Sequence, residues 1–275
     1  MTRIENQIPI ISKLKLRWFT SYSRRYIRRH FHSMRILQSG SSAAEIAEKI
    51  GTHRSFVIYA NHASWWDPLV CLTLMKKLFP GHSIFAPIEA TMLEKYKIFR
   101  RLGFFEVQRG TVRGASQFIS TSMAILNAPK NLLVITPQGR FADVRERPLQ
   151  FEGGIGHLAS RLPATIFLPC AVEYTFWEEN QPEILVNFGE PLELTQVMGG
   201  LGSSLPADPN IYTKMLEEKL GDALDILATE SVKREVSNYE VFWSGDGGRI
   251  GFYDRWRAMM AKLRGEHFQR KHGTK

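Results

Sequence analysis

The sequence predicts an α/β fold: a mostly parallel sheet flanked by helices, with a basic amphipathic helical arm at the N-terminus. Three observations carry this. Short apolar runs rich in β-branched and aromatic residues, at 55–60, 131–136 and 165–172, alternate with segments of helical period. Polar turns, at 61–67, 108–109 and 138–140, fall after strands, where open α/β sheets bind their ligands. The surplus positive charge is gathered in one early stretch.

Taken in order, the arm comes first. At ~100° per residue, a helix through residues 13–35 puts Trp18, Phe19, Tyr22, Tyr26 and Ile27 on one side and Arg17, Arg24, Arg28 and Arg35 opposite. Such a helix suits a membrane interface, where each basic residue near an anionic leaflet contributes about 1 kcal/mol. It equally suits a helix packed on its own domain with solvated arginines. Residues 41–50 predict a short helix, with serines available as caps and Gly51 as the stop. A strand at 55–60 leads through a turn to a helix at 69–78, with Asp67 near its N-cap and Pro68 at its first position. A strand at 82–87, a helix at 92–102 and a short strand over 103–109 follow. A helix over 113–127 precedes the strand at 131–136, which ends in the Pro- and Gly-bearing turn 137–140. Past a charged loop at 141–150 come a helix at 154–161, strands at 165–172 and 183–188, and a turn at 189–191. Residues 199–209 read as a loop, 210–229 as a helix, 239–252 as irregular and 253–270 as a basic helical tail. The chain thus divides into an arm over 1–40, an α/β domain over 41–235 and a basic extension over 236–275.

Composition narrows the class. At 275 residues, 44% apolar and 23% charged, the chain is long enough for one large core and is no disordered polymer. Cys71 and Cys170 sit in apolar runs without metal or disulfide spacing and read as reduced core residues. No secretory signal and no membrane span is expected, since no apolar run is long enough. A cytoplasmic chain, soluble or attached to the inner face of a membrane, fits. Residues 6–44 carry eight of the 36 Lys and Arg and no acid, which leaves 28 basic against 27 acidic residues elsewhere. That near-neutral remainder, without a nucleic-acid motif, speaks against a nucleic-acid partner.

His62 and Asp67 share the turn after the 55–60 strand. A histidine acts as a base when a partner on its second nitrogen fixes the tautomer, and Asp67 is near enough in sequence to do so. Taken alone, the pair reads as a histidine capping a turn. Two other patterns are set aside. Gly154 to Ala159 fits the dinucleotide pattern but follows no hydrophobic strand, and Gly245 to Gly248 lacks the Lys and Ser/Thr of a phosphate loop. Trp65 and Trp66 read as buried aromatics or as the lining of an acyl channel.

Four blocks in order give the chain a family. Asn61, His62 and Asp67 form the first, and Gly103, Phe104, Phe105, Val107 and Arg109 the second. Thr136 to Ala142 form the third, and the apolar segment from Ile166 to Ala171 around Pro169 the fourth. Over roughly residues 50–195 the chain resembles the glycerolipid acyltransferases, whose members include lysophosphatidic acid acyltransferases. The resemblance implies transfer of a fatty acyl group from acyl-CoA or an acyl-carrier protein to a lipid hydroxyl. A lysophosphatidate-type acceptor is expected first. It also implies His62 as general base and Asp67 as its orienting partner. Asn61, Arg109, Gln138, Gly139 and Arg140 are then expected to bind substrate. A placed base contributes ~10²–10⁴-fold to attack by an alcohol, and the acceptor itself is the nucleophile, so no Gly-x-Ser-x-Gly elbow is needed. No metal and no permanently bound cofactor is expected.

Two departures stand out. Gln138 replaces the family's Glu, and Arg140 stands one position before the family's Arg, where Phe141 now lies. Both open an alternative acceptor without phosphate, a glycolipid or long-chain alcohol. Two rival readings are a hydrolase with His62 and Asp67 as metal ligands, which lacks a third ligand nearby, and a non-catalytic protein that binds lipid surfaces through the arm.

Overall fold

Strand β2 (Phe56–Ala60) runs through the middle of the sheet, and its sequence explains why. Phe56, Ile58 and Ala60 face one core while Val57 and Tyr59 face the other, and all five are buried. A strand covered on both faces is apolar throughout, as strands of parallel sheets are. The computed structural model describes residues 8–38, 43–195 and 208–245. Among these, the sheet runs in the order β4 (Phe104–Val107), β3 (Ser83–Glu89), β5 (Asn131–Ile135), β2, β6 (Ile166–Thr175), β7 (Glu183–Phe188), β1 (Ser33–Leu37) and β9 (Tyr239–Ser244). The two-residue β8 (Leu192–Glu193) pairs beside β6. From β4 to β6 every pairing is parallel, as is β7 with β1, whereas β6–β7 and β1–β9 are antiparallel.

Helices α1 (Lys13–His30), α2 (Ala43–Ile50) and α3 (Asp67–Leu78) cover the face of Phe56 and Ile58. On the other face lie α5 (Val112–Asn127), α6 (Gly154–Arg161) and α7 (Pro209–Lys233), while the short α4 (Ala90–Lys95) attends β3 and β4 at the edge. Helix α6 meets α7 at Gly156, where a Cβ would lie 2.1 Å from Thr213 Oγ1 and 2.2 Å from the Pro209 carbonyl. Only a glycine permits that approach, which answers the dinucleotide-like pattern with a packing role.

The N-terminal segment departs from expectation. The helix expected through residue 35 ends at His30, and Phe31 takes extended backbone (φ −122°, ψ 145°). Ser33–Leu37 is then a fully buried strand between β7 and β9. Arg35, expected on a solvated helix face, is 8% exposed, with Nε 3.3 Å from Glu183 Oε2. The same carboxylate accepts the Ser33 hydroxyl. A buried guanidinium is tolerated because this partner is buried with it.

Three smaller differences follow. Residues 239–244, expected to be irregular, form β9, paired to β1 with a register shift at Met34/Arg35. The helix expected at 92–102 divides at Tyr96 (φ −119°, ψ 74°) into α4 and a 3₁₀ turn, Lys97–Arg101. Helix α7 runs on to Lys233, where Arg234 closes it in the left-handed region (φ 56°). The serine caps at 41–42, the loop at 199–207, the Gly-rich turn at 246–248 and the tail at 253–270 lie outside the described residues.

Candidate active site

Strand β2 stops at Ala60, opposite Cys170, while β6 continues to Thr175. Asn61 bridges the difference with its side chain. Its Nδ2 donates to the Val172 carbonyl at 2.9 Å and its Oδ1 accepts the Val172 N–H at 2.8 Å. The amide thus mimics one more backbone pair and holds the projecting end of β6 against the turn that carries His62. Expected to touch substrate, Asn61 is 3% exposed and has both polar atoms on the backbone of β6. Here those atoms hold the turn to the strand.

Asp67 opens α3, with Pro68 behind it where a missing N–H costs nothing. Its carboxylate is 2% exposed and collects three donors: His62 Nδ1 at 2.7 Å, the Ser64 N–H at 3.0 Å and the Tyr174 hydroxyl at 2.5 Å. The N-terminal end of α3 adds a favourable dipole. An ionised carboxylate accepts only, so Nδ1 carries the proton and Nε2 of the neutral imidazole keeps its lone pair. The His62 side chain remains 20% exposed, whereas its partner is sealed.

Burial, and then the neighbouring Asp67 charge, push the Tyr174 phenol well above its ordinary range, so it stays a donor to the carboxylate. The same two causes push the Cys71 thiol up to about 12, and burial, then neighbouring Cys71 and Asp67, raise Cys170 as well. Both remain inert thiols rather than nucleophiles. Among the described residues no three of His, Cys, Asp and Glu gather as a metal site would require.

The loop after β5 grips His62 from the other side. Gln138, 4% exposed, accepts the His62 N–H through Oε1 at 2.9 Å, and the Ala142 N–H donates to the His62 carbonyl at 2.9 Å. An amide oxygen serves a backbone N–H as a carboxylate would, so Gln in place of Glu keeps the contact and omits a charge. Gly139 takes φ +63°, and a Cβ there would lie 3.1 Å from Arg109 Nη2. Arg109 therefore lies directly on the turn, with Nη2 3.7 Å from Glu152 Oε1. Arg140 does not join it. Its guanidinium pairs with Glu146 and bonds the Phe141 carbonyl at 3.3 Å. The site thus unites His62, Asp67 and Gln138 by hydrogen bonds and brings Arg109 to Gly139, and it sends Arg140 elsewhere.

Sequence reasoning missed two neighbours of the pair. The Phe141 ring lies on the His62 imidazole, centroids 4.3 Å apart at 39°, and is 60% exposed. Tyr174 reaches Asp67 from the end of β6, more than a hundred residues away, with no local signal. The tryptophans divide. Trp66 packs edge-on against Phe31 at 4.9 Å, while Trp65 stacks on Trp66 at 4.4 Å and is 55% exposed.

Tyr174→Phe isolates one of the three supports. A hydrogen bond to a charged group is worth about 1.5–3 kcal/mol, and with His62 as a general base part of that loss should reach the transition state, where the imidazole would carry a second proton. The expected result is a fall in kcat of about tenfold with KM unchanged, in a protein that still folds but melts a few degrees lower. A variant with wild-type kcat would reduce Tyr174 to packing.

Residues 42–173 match the model of the Acyltransferase family. No curated protein sequence matches the chain. Among solved structures, the chain is similar to the 1-acyl-sn-glycerophosphate (LPA) acyltransferase PlsC from Thermotoga maritima, with a TM-score of 0.53 and 15% identity over 80% of each chain. At that identity the likeness is one of fold.

Proposed function

Through residues 42–173 the chain belongs to the acyltransferase family, and from that premise we propose that it transfers a fatty acyl group from an acyl thioester to the hydroxyl of a lipid. The observation that supports this best is the sealed, triply bonded Asp67 carboxylate on His62 Nδ1, which leaves Nε2 as the only basic nitrogen of the ring. His62 Nε2 takes the hydroxyl proton as the oxygen attacks the thioester carbonyl. The C–O bond forms, the C–S bond breaks, and the imidazolium returns the proton to the departing sulfur. Asp67 stabilises the imidazolium without taking its proton, the division of labour found in hydrolase triads. Acyl-CoA and acyl-carrier protein both supply such a thioester. The test is transfer of labelled palmitate from each donor to a membrane lipid extract. A new labelled lipid whose formation needs His62 supports the reading, and no labelled lipid from either donor overturns it.

A lipid substrate calls for a lipid surface. Among the described residues no helix is long and apolar enough to cross a membrane. Helix α1 instead buries Leu16, Ser23 and Ile27 and leaves Leu14, Trp18 and Tyr22 exposed, with Ile10 just before it. Lys13, Lys15, Arg17, Arg24, Arg25 and Arg29 are exposed on the same helix. The stacked rings of Trp18, Tyr22 and Tyr26 lead along α1 to Trp65, on the turn of His62. This favours peripheral docking with the active site facing the headgroups, at the inner face of a membrane. Sedimentation with vesicles should show binding that rises with the anionic lipid fraction. The Trp18→Ala/Tyr22→Ala double variant should lose about tenfold in partitioning; unchanged partitioning would remove α1 as the anchor.

A further inference from the structure

The open question is the acceptor's head group, and the surroundings of His62 bear on it. The loops that meet at Gly139 carry four arginines, and each faces an acid. Arg109 lies 3.7 Å from Glu152, Arg145 2.8 Å from Asp143 and Arg147 2.5 Å from Asp225, while Arg140 pairs with Glu146. Exposed ion pairs are easily parted, so this pairing alone would not turn a phosphate away. The reacting face adds the rest. The group against the His62 ring is Phe141, an apolar side chain 4.3 Å away, and the exposed Trp65 stands on the same turn.

A dianionic phosphate beside the reacting hydroxyl would surrender water to an aromatic ring, and an arginine of these loops would have to leave its acid to replace that hydration. An uncharged alcohol gives up far less. Its carbon skeleton lies against the ring while its hydroxyl reaches Nε2, the apolar-body and polar-tip arrangement that aromatic sites favour. We infer that the preferred acceptor is a lipid with an uncharged head group bearing the reacting hydroxyl, and that Phe141 is the residue that selects it. This rests on the acyl-transfer reading above.

A matched pair of acceptors separates the two. Full-length protein is given palmitoyl-CoA and, in parallel, palmitoyl-acyl-carrier protein. The acceptors, monooleoylglycerol and monooleoylglycerol phosphate, are presented in the same micelles and differ only by the phosphate. The expected kcat/KM is at least about tenfold higher for the uncharged acceptor. Phe141→Arg, which sets a cation on the imidazole face, should shift that ratio at least about tenfold toward the phosphate. Glu146→Gln, which releases Arg140, should shift it the same way if Phe141→Arg fails to fold. A wild-type preference for the phosphate, equal use of both, or a ratio unmoved in the folded variants overturns the inference while acyl transfer stands. Transfer to neither acceptor from either donor overturns the inference, and the acyl-transfer reading falls with it when the membrane lipid extract also yields no labelled lipid.

Discussion

His62→Ala should lower acyl transfer by ~10²–10⁴-fold, the contribution of a placed general base, while the protein stays folded. The imidazole lies beside the exposed Phe141 ring and is itself partly open to solvent, so its removal leaves a space that water can fill. The backbone bonds of His62, from its N–H to Gln138 and to its carbonyl from Ala142, involve no imidazole atom and survive. The buried Asp67 carboxylate loses one donor of three and keeps the Ser64 N–H and the Tyr174 hydroxyl. Thermal melts and thioester binding should therefore stay close to wild type while kcat collapses. If the variant retained most of its turnover, His62 would not be the base.

Asn61→Ala should have the opposite signature. The substitution leaves the Val172 N–H and carbonyl without the side-chain partners they hold at 2.8 and 2.9 Å, in a site closed to water. A buried backbone group left unpaired costs about 1–3 kcal/mol, so the pair should cost roughly 2–6 kcal/mol of stability. For a domain of this size each kcal/mol moves the midpoint by about 2–4 °C, which calorimetry or circular dichroism reads directly. Val172 is two residues before Tyr174 on the same strand, so loosening it also loosens the third support of Asp67. KM for donor and acceptor should hold at temperatures where the variant is folded. A raised KM with wild-type stability would instead make Asn61 a substrate contact, as the resemblance implies.

Several features of the fold are legible because their causes are local. The unbroken apolar run of β2 signals a strand buried on both faces. Asp67 and Pro68 mark the start of α3, and the Pro and Gly of 137–140 mark the turn that holds Gln138 and Gly139. The His62–Asp67 pairing spans five residues on one turn, so it too was within reach of sequence reasoning. The match to the acyltransferase family over residues 42–173 and the mostly parallel α/β sheet follow from signals of this kind.

Other features have no local cause. Arg35 made the segment at 33–37 look like the polar side of a helix, because its partner Glu183 lies 148 residues further on. Strand β9 exists because β1 offers it an edge, not because residues 239–244 announce a strand. The same holds at the site. Tyr174 meets Asp67 across 107 residues, and Arg140 turns to Glu146 so that Phe141, not a cation, comes to rest on His62. Sequence alone determined most of the strands and helices and the pairing of His62 with Asp67, since periodicity, turn residues and short-range bonds act within a few residues. Only the tertiary structure decided which buried charges are matched and what surrounds the imidazole, since those depend on pairings between segments that no local pattern encodes.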